Sequence, residues 1–89
     1  MFPIQNLPQL RSLQILDSEL ETFTAIEDCP KLSQISLAGN NLREIPILSN
    51  LPRLIDLDLA SNQILAVNFH DPLLSLHKLN LSNNPLEHL

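Results

Sequence analysis

Hydrophobic and polar positions follow each other along this chain in a pattern that recurs at a constant interval. The stretch from Leu54 to Ile64 has the order apolar-x-x-apolar-x-apolar-x-x-Asn-x-apolar. The same order begins at Leu10, Leu32 and Leu76, with serine in place of asparagine in the first copy. Each start is 22 positions from the next, and self-similarity at a fixed period is typical of repeat proteins. The pattern therefore predicts a chain of stacked units.

The units divide the sequence into one repeat domain over residues 1–89, with four repeats that start at positions 10, 32, 54 and 76. Residues 1–9 match the second half of a repeat, since Ile4 and Leu7 stand at the apolar positions of the repeat that follows. We expect this partial N-terminal repeat to cover the first strand. A chain of this length buries only about 60–65% of its unfolded surface on folding, so its stability should be modest.

Two spacings of apolar residues alternate within each repeat. Pairs two positions apart, such as Leu57 and Leu59, point to one side of a short extended segment. The apolar residues that follow are three apart, and side chains three apart eclipse in a 3₁₀-helix. Prolines at matching positions also obstruct a longer helix. The spacing predicts strands near 12–16, 34–38, 56–60 and 78–82, each followed by 3₁₀ turns or loops.

The repeats are expected to stack because no single repeat can bury its apolar row alone. Stacking places the strands in a parallel sheet and joins the rows into one core. The bend after each strand leaves backbone N–H and C=O groups that a buried side-chain amide can satisfy. We expect Asn40, Asn62 and Asn84 to form a ladder of this kind, with Ser18 making fewer bonds at the same position.

The four copies, LRSLQILDSEL, LSQISLAGNNL, LIDLDLASNQI and LHKLNLSNNPL, resemble the leucine-rich repeat family, whose consensus is LxxLxLxxNxL. The period of three in Leu42, Ile45 and Leu48 looks like the 22-residue class of intracellular phosphatase regulators and related adaptors. This resemblance covers essentially the whole chain. It implies an α/β solenoid, a horseshoe segment with a short-stranded parallel sheet on its concave face and 3₁₀ turns or loops on its convex face.

The resemblance also implies where a partner would bind, since variable strand residues line the concave sheet in that family. By position, the surface comprises Ser12, Gln14, Gln34, Ser36, Asp56, Asp58, Lys78 and Asn80. The leading hypothesis is therefore a non-enzymatic protein–protein interaction module without a cofactor or catalytic residues. The alternative is a structural spacer or assembly unit, a piece of a longer repeat array whose ends stack.

Asp56 and Asp58 also admit a catalytic interpretation. Alternate strand residues share a face about 7 Å apart, a separation found for paired carboxylates in glycosidases. However, no pocket-forming loop accompanies them in the sequence, and an open sheet keeps both carboxylates in water. We therefore favour an acidic patch for a basic partner.

Histidine and cysteine residues do not form a metal-binding pattern. The spacing of zinc ligands is absent from His70, His77 and His88. Cys29 stands in the apolar row that is predicted to form the core, so no metal site is predicted. Cys29 is interpreted as a buried apolar residue, with a reactive thiol as the alternative.

The segment NFHDP at positions 68–72 departs from the repeat. It places His70 at a position that holds Ile26 and Leu48 in the earlier repeats. We expect a bulge or bend there that turns the neighbouring Phe69 inward.

Charge and composition restrict the partner and the compartment. A formal net charge of −5 argues against nucleic acid and anionic membranes, which need clustered lysine and arginine. It favours a protein with a basic or neutral surface. One cysteine excludes an internal disulfide, the N-terminus lacks the basic start of a signal peptide, and no apolar run is long enough to span a bilayer. These features predict an intracellular protein, cytoplasmic or nuclear.

The last repeat lacks most of its return segment, since the sequence stops at Leu89. Leu79, Leu81 and Leu86 belong to the core pattern, and terminal repeats usually need a polar cap. An uncovered strand edge also invites pairing with another chain. We expect either a longer array or an end covered by a partner or a second copy, which makes self-association possible.

Overall fold

The computed structural model describes residues 3–87 and shows a solenoid of about four turns built from parallel strands. The predictions that involve His88 and Leu89 lie outside the described residues. The strands are β1 (Ile4–Gln5), β2 (Ser12–Gln14), β3 (Ala25–Glu27), β4 (Gln34–Ser36), β5 (Ile47–Ser49), β6 (Asp56–Asp58) and β7 (Lys78–Asn80).

The strands form two parallel sheets. The four-stranded sheet has the order β2-β4-β6-β7, and the three-stranded sheet has the order β1-β3-β5. Paired residues are always 22 positions apart, so that one row across the four-stranded sheet contains Leu13, Ile35, Leu57 and Leu79. This constant register confirms the period and the parallel stacking that the apolar pattern predicts.

The segments that return between strands of the four-stranded sheet differ from the prediction. The described residues contain strands and turns but no helix, so the α/β class with 3₁₀ turns is not confirmed. Ala25 and Ile26 are both buried, which a spacing of three does not explain. The physical reason is that a neighbouring repeat supplies backbone partners: the Asp28 N–H donates to the Ser49 carbonyl at 3.1 Å. An extended segment therefore needs no internal hydrogen bonds.

The strands of the four-stranded sheet begin where predicted but end two residues early, at positions 14, 36, 58 and 80. Backbone hydrogen bonds continue slightly further, as from the Leu37 N–H to the Asp58 carbonyl at 2.9 Å. The backbone then bends through residues with positive φ, which are Asp17, Gly39, Ser61 and Asn83. Left-handed backbone cannot continue an extended strand, so these residues end the pairing.

The third return segment adds no strand to the three-stranded sheet. In the earlier repeats the equivalent turn uses a residue with positive φ, namely Asn6, Asp28 or Asn50. Pro72 stands at this position, and a proline ring confines φ to negative values. The same turn is therefore unavailable. Phe69 packs against the core, as the sequence predicts for the NFHDP segment, and His70 is exposed.

The core is an aliphatic cluster in which residues from successive repeats occupy equivalent positions. Its fully buried members include Ile26, Leu32, Leu37, Leu42, Leu54, Leu57, Leu59 and Ile64. Cys29 is also 0% exposed and belongs to this cluster. Small domains gain most of their stability from burying such side chains.

Asparagine side chains connect successive repeats at the bend after each strand of the four-stranded sheet. The Asn62 Oδ1 accepts the Leu42 N–H at 3.0 Å. The Asn62 Nδ2 donates to the carbonyls of Leu37 and Leu59 at 3.0 and 3.1 Å. One side chain thus satisfies backbone groups in its own repeat and in the repeat before it.

Asn40 and Asn84, the other asparagines of this ladder, make equivalent bonds to the preceding repeat, and the hydroxyl of Ser18 does not. Asn40 Nδ2 donates to the carbonyl of Ile15 at 2.8 Å, and Asn84 Nδ2 donates to that of Leu59 at 2.9 Å. The Ser18 hydroxyl instead donates to the Leu16 carbonyl, within its own turn, at 2.8 Å. The asparagines therefore link neighbouring repeats, whereas the serine hydroxyl does not.

Gly39→Ala should lower the free energy of unfolding by about 1–3 kcal/mol. Gly39 has a φ of +73°, and a Cβ at this residue would overlap the carboxylate of Asp17. Urea denaturation followed by circular dichroism measures the change. Ser61→Ala is the matched control, because Ser61 takes a φ of 57° at the equivalent position and already carries a Cβ.

The control variant should change stability by less than about 0.5 kcal/mol. Adding Asp17→Ala to Gly39→Ala should recover part of the loss by removing the overlap. If the double variant is no more stable than Gly39→Ala, the overlap with Asp17 does not explain the effect.

Candidate functional site

Two rows of polar side chains line the outer face of the four-stranded sheet, the face opposite the core. One row is Ser12, Gln34, Asp56 and Lys78, and the other is Gln14, Ser36, Asp58 and Asn80. All eight side chains are exposed or half-buried. Residues between the rows, such as Ile35 and Leu57, are buried, because successive side chains of a strand point to opposite faces. The structure thus brings all eight sequence-predicted residues onto one surface.

A shallow depression of about 180 Å³ lies on this face. It is lined by Gln14, Gln34, Ile35, Ser36, Asp56 and Asp58. Pockets that enclose small-molecule ligands usually measure about 300–1,000 Å³. The depression can therefore receive one side chain of a partner, but it does not enclose a substrate.

Asp58 makes a structural contact that the sequence reasoning missed. Its Oδ1 accepts the N–H of Ala60 at 3.0 Å. Asn80, its neighbour in register, makes the same contact with the N–H of Ser82 at 3.0 Å and also accepts the Ser82 hydroxyl at 2.7 Å. The signal is local, because aspartate and asparagine often accept from a backbone N–H two residues later. These bonds orient the carboxylate of Asp58 and the amide of Asn80.

Asp56 and Lys78 carry opposite charges on adjacent strands. Their Cα atoms are register partners, and adjacent strands are about 4.8 Å apart. Nevertheless, neither side chain forms a hydrogen bond or an ion pair with any residue that the structure describes. Asp56 is half-buried and Lys78 is exposed. Both charges are thus available to another molecule.

The remaining candidate residues do not assemble into a second site. Cys29 is fully buried, and its Sγ donates to the Glu27 carbonyl at 3.4 Å. His77 Nδ1 lies 2.7 Å from the Ser75 carbonyl. Within residues 3–87 no three histidine, cysteine, aspartate or glutamate side chains come together as metal ligands.

A larger depression of about 490 Å³ lies elsewhere on the surface, and its lining includes the apolar residues Phe23, Ile45, Pro46 and Ile47 together with His70. The carboxylates of Glu21 and Glu44 and the hydroxyls of Thr22 and Thr24 also line it.

None of the described residues belongs to a helix that is long and apolar enough to cross a membrane. The chain matches no family model, no curated protein and no solved structure. These comparisons therefore assign neither a family nor a function.

Proposed function

We propose that this chain is a non-enzymatic protein-interaction module, and that the outer face of its four-stranded sheet binds a partner protein. The observation that carries the proposal is the pair of polar rows, which a constant register holds at fixed spacing. A surface ordered before binding loses little conformational entropy when a partner arrives. The rigid rows therefore suit recognition of a complementary surface.

The charge of this face indicates the kind of partner. Asp56 and Asp58 stand in an inner strand of the sheet and line the depression. Complementary charge increases association rates and specificity. A protein with a basic or neutral surface therefore fits best, which agrees with the net charge of −5 of the whole chain.

The proposal includes membership of the leucine-rich repeat class. The four copies of the consensus and the buried aliphatic rows support it, as do the hydrogen bonds of Asn40, Asn62 and Asn84. A cytoplasmic or nuclear location belongs to the same proposal, since it suits a chain whose single cysteine is free and buried.

The alternative function, a spacer or assembly unit whose ends stack, stays a prediction. The observation in its favour is that Leu79 in β7 is 43% exposed. Light scattering distinguishes the two functions, because end stacking requires a molecular mass that rises with protein concentration. A constant monomer mass would leave outer-face binding as the better explanation.

Asp56→Lys/Asp58→Lys should reduce capture of partner proteins by about tenfold or more, because charge reversal repels the basic groups that the face is proposed to attract. Quantitative affinity enrichment from cell extract, with the chain as bait, measures the capture. Glu44→Lys/Asp71→Lys makes the same change in net charge outside the outer face and is the matched control. Circular dichroism checks that both variants fold.

Proteins that the unmodified chain and the control both capture, and that the outer-face variant loses, support the proposal. If the outer-face variant captures every protein as well as the control does, the outer face is not the binding surface.

A further inference from the structure

Three charged side chains on the outer face are available to a partner. Asp56 and Lys78 have no hydrogen-bond or ion-pair partner among residues 3–87. Asp58 uses its Oδ1 to accept the Ala60 N–H, and a carboxylate has further acceptor capacity on both oxygens. Asp56 and Asp58 are half-buried, so they have already lost part of their hydration. A cation placed between them would interact more strongly than at a fully exposed site.

We propose that the outer face recognises an extended segment of a partner protein by two charges in a fixed arrangement. An arginine side chain of the segment binds across Asp56 and Asp58, and a carboxylate of the same segment binds Lys78. This inference rests on the proposed function, since it specifies the chemistry of the partner at the same surface.

The spacing of the carboxylates favours arginine over lysine. Asp56 and Asp58 lie on one face of β6 at alternate positions, about 7 Å apart. A guanidinium group presents five N–H donors in a planar fork and can serve two acceptors at once, whereas an ammonium group is a compact point charge. Gln34 and Ser36 line the same depression and offer further acceptor oxygens.

Lys78 is the proposed binding partner of the carboxylate in the segment. It lies next to Asp56 on the adjacent strand, about 4.8 Å away between backbones. A second cation of the partner would be repelled there, and a carboxylate would be attracted. The segment must therefore cross from β6 to β7 with its arginine and its carboxylate in one order, so that net basic charge alone is insufficient for binding.

The variants that test the inference can preserve the fold. Asp56→Asn/Asp58→Asn removes both charges with little change in shape. Asn80 supports this choice, because at the position equivalent to Asp58 an asparagine makes the same bond to the backbone N–H two residues later. Glu44→Gln/Asp71→Asn removes two charges elsewhere and is the matched control. Gln34→Trp fills the depression without changing the charge.

The experiment selects binders to the 89-residue chain from a phage-displayed library of random peptides and measures the affinities of the synthetic peptides by fluorescence anisotropy. The enriched peptides should contain an arginine and a nearby aspartate or glutamate. Asp56→Asn/Asp58→Asn should weaken their binding by about tenfold to a hundredfold, because charged hydrogen bonds are lost. The Glu44→Gln/Asp71→Asn control should bind as the unmodified chain does.

Two further comparisons test the individual charges. Replacing the arginine of a selected peptide by lysine should weaken its binding by about tenfold. Lys78→Glu should weaken binding of the parent peptide and strengthen binding of a peptide whose carboxylate residue is replaced by lysine. Equal affinity of the arginine and lysine peptides, or no response to Lys78→Glu, overturns this inference.

The failure of the inference can be distinguished from the failure of the proposed function. Peptides that Gln34→Trp blocks but that lack arginine and tolerate Asp56→Asn/Asp58→Asn bind the outer face by other chemistry. Such peptides overturn the inference and leave the proposed function intact. If every selected peptide tolerates Gln34→Trp as well, or if selection enriches none, both proposals are contradicted.

Discussion

Asn62→Ala should lower the free energy of unfolding by about 2–4 kcal/mol, because it leaves the buried Leu42 N–H without an acceptor and removes one donor from each of three carbonyls. The carbonyls of Leu37, Leu59 and Ala60 lose the Asn62 amide as a donor. They keep other donors, namely the Asn40 amide, the Asn84 amide and the Gly39 N–H. The unsatisfied Leu42 N–H costs about 1–3 kcal/mol, and each further hydrogen bond that is lost costs up to about 1 kcal/mol. An ordinary chain of this length has a total stability of about 4–13 kcal/mol, so the loss is a large part of it.

Urea denaturation followed by far-ultraviolet circular dichroism measures this change. Asn68→Ala is the matched control, since Asn68 is exposed and has no hydrogen bond within the described part of the chain. The control should change stability by less than about 0.5 kcal/mol. If Asn62→Ala is as stable as Asn68→Ala, the asparagine ladder does not hold the bends together.

The stacking of the repeats is predictable from the sequence because it follows from a period that is constant over four copies. Once Leu32, Leu54 and Leu76 are seen to be equally spaced, parallel pairing with the same offset is the arrangement that buries every apolar row. The positions of the asparagines follow from the same period. Long-range strand register is usually the hardest feature to predict from a sequence. In this chain it is the easiest.

The local conformation of the return segments is harder to predict. Apolar residues three apart, such as Phe23, Ile26 and Cys29, fit a 3₁₀ turn, and they fit equally an extended path that is bent between repeats. The structure contains the extended path, because neighbouring repeats satisfy its backbone groups. The burial of Ala25 next to Ile26 is one result of this difference. Hydrogen bonding between repeats is not visible in the spacing of one repeat.

The candidate site is predictable in position but not in detail. Strand alternation places Asp56, Asp58 and Lys78 on the outer face from the sequence alone. The bond from Ala60 to Asp58 could have been recognised from its spacing of two residues. However, the absence of an ion pair between the register partners Asp56 and Lys78 depends on side-chain rotamers. Only a structure with side chains gives that information.

Leu57→Ala should lower the free energy of unfolding by about 2–5 kcal/mol. Leu57 is 0% exposed and lies in β6, between β4 and β7. Its replacement removes buried methyl groups and leaves a cavity that the closely stacked neighbours can fill only in part. Chemical denaturation measures the loss, and an unchanged slope against denaturant would show that both forms unfold as the same cooperative unit.

Leu79→Ala is the matched control for this prediction, because Leu79 is the register partner of Leu57 in the adjacent strand but is 43% exposed. The same substitution at the same position of the repeat then removes less buried surface. Its cost should be about 1 kcal/mol. In a solenoid each repeat is stabilised chiefly by its immediate neighbours. The difference in burial between Leu57 and Leu79 should therefore determine how much more unfolding free energy Leu57→Ala loses than Leu79→Ala. Equal losses would mean that Leu79 is covered in solution, as it would be if the face beyond β7 were occupied by another molecule.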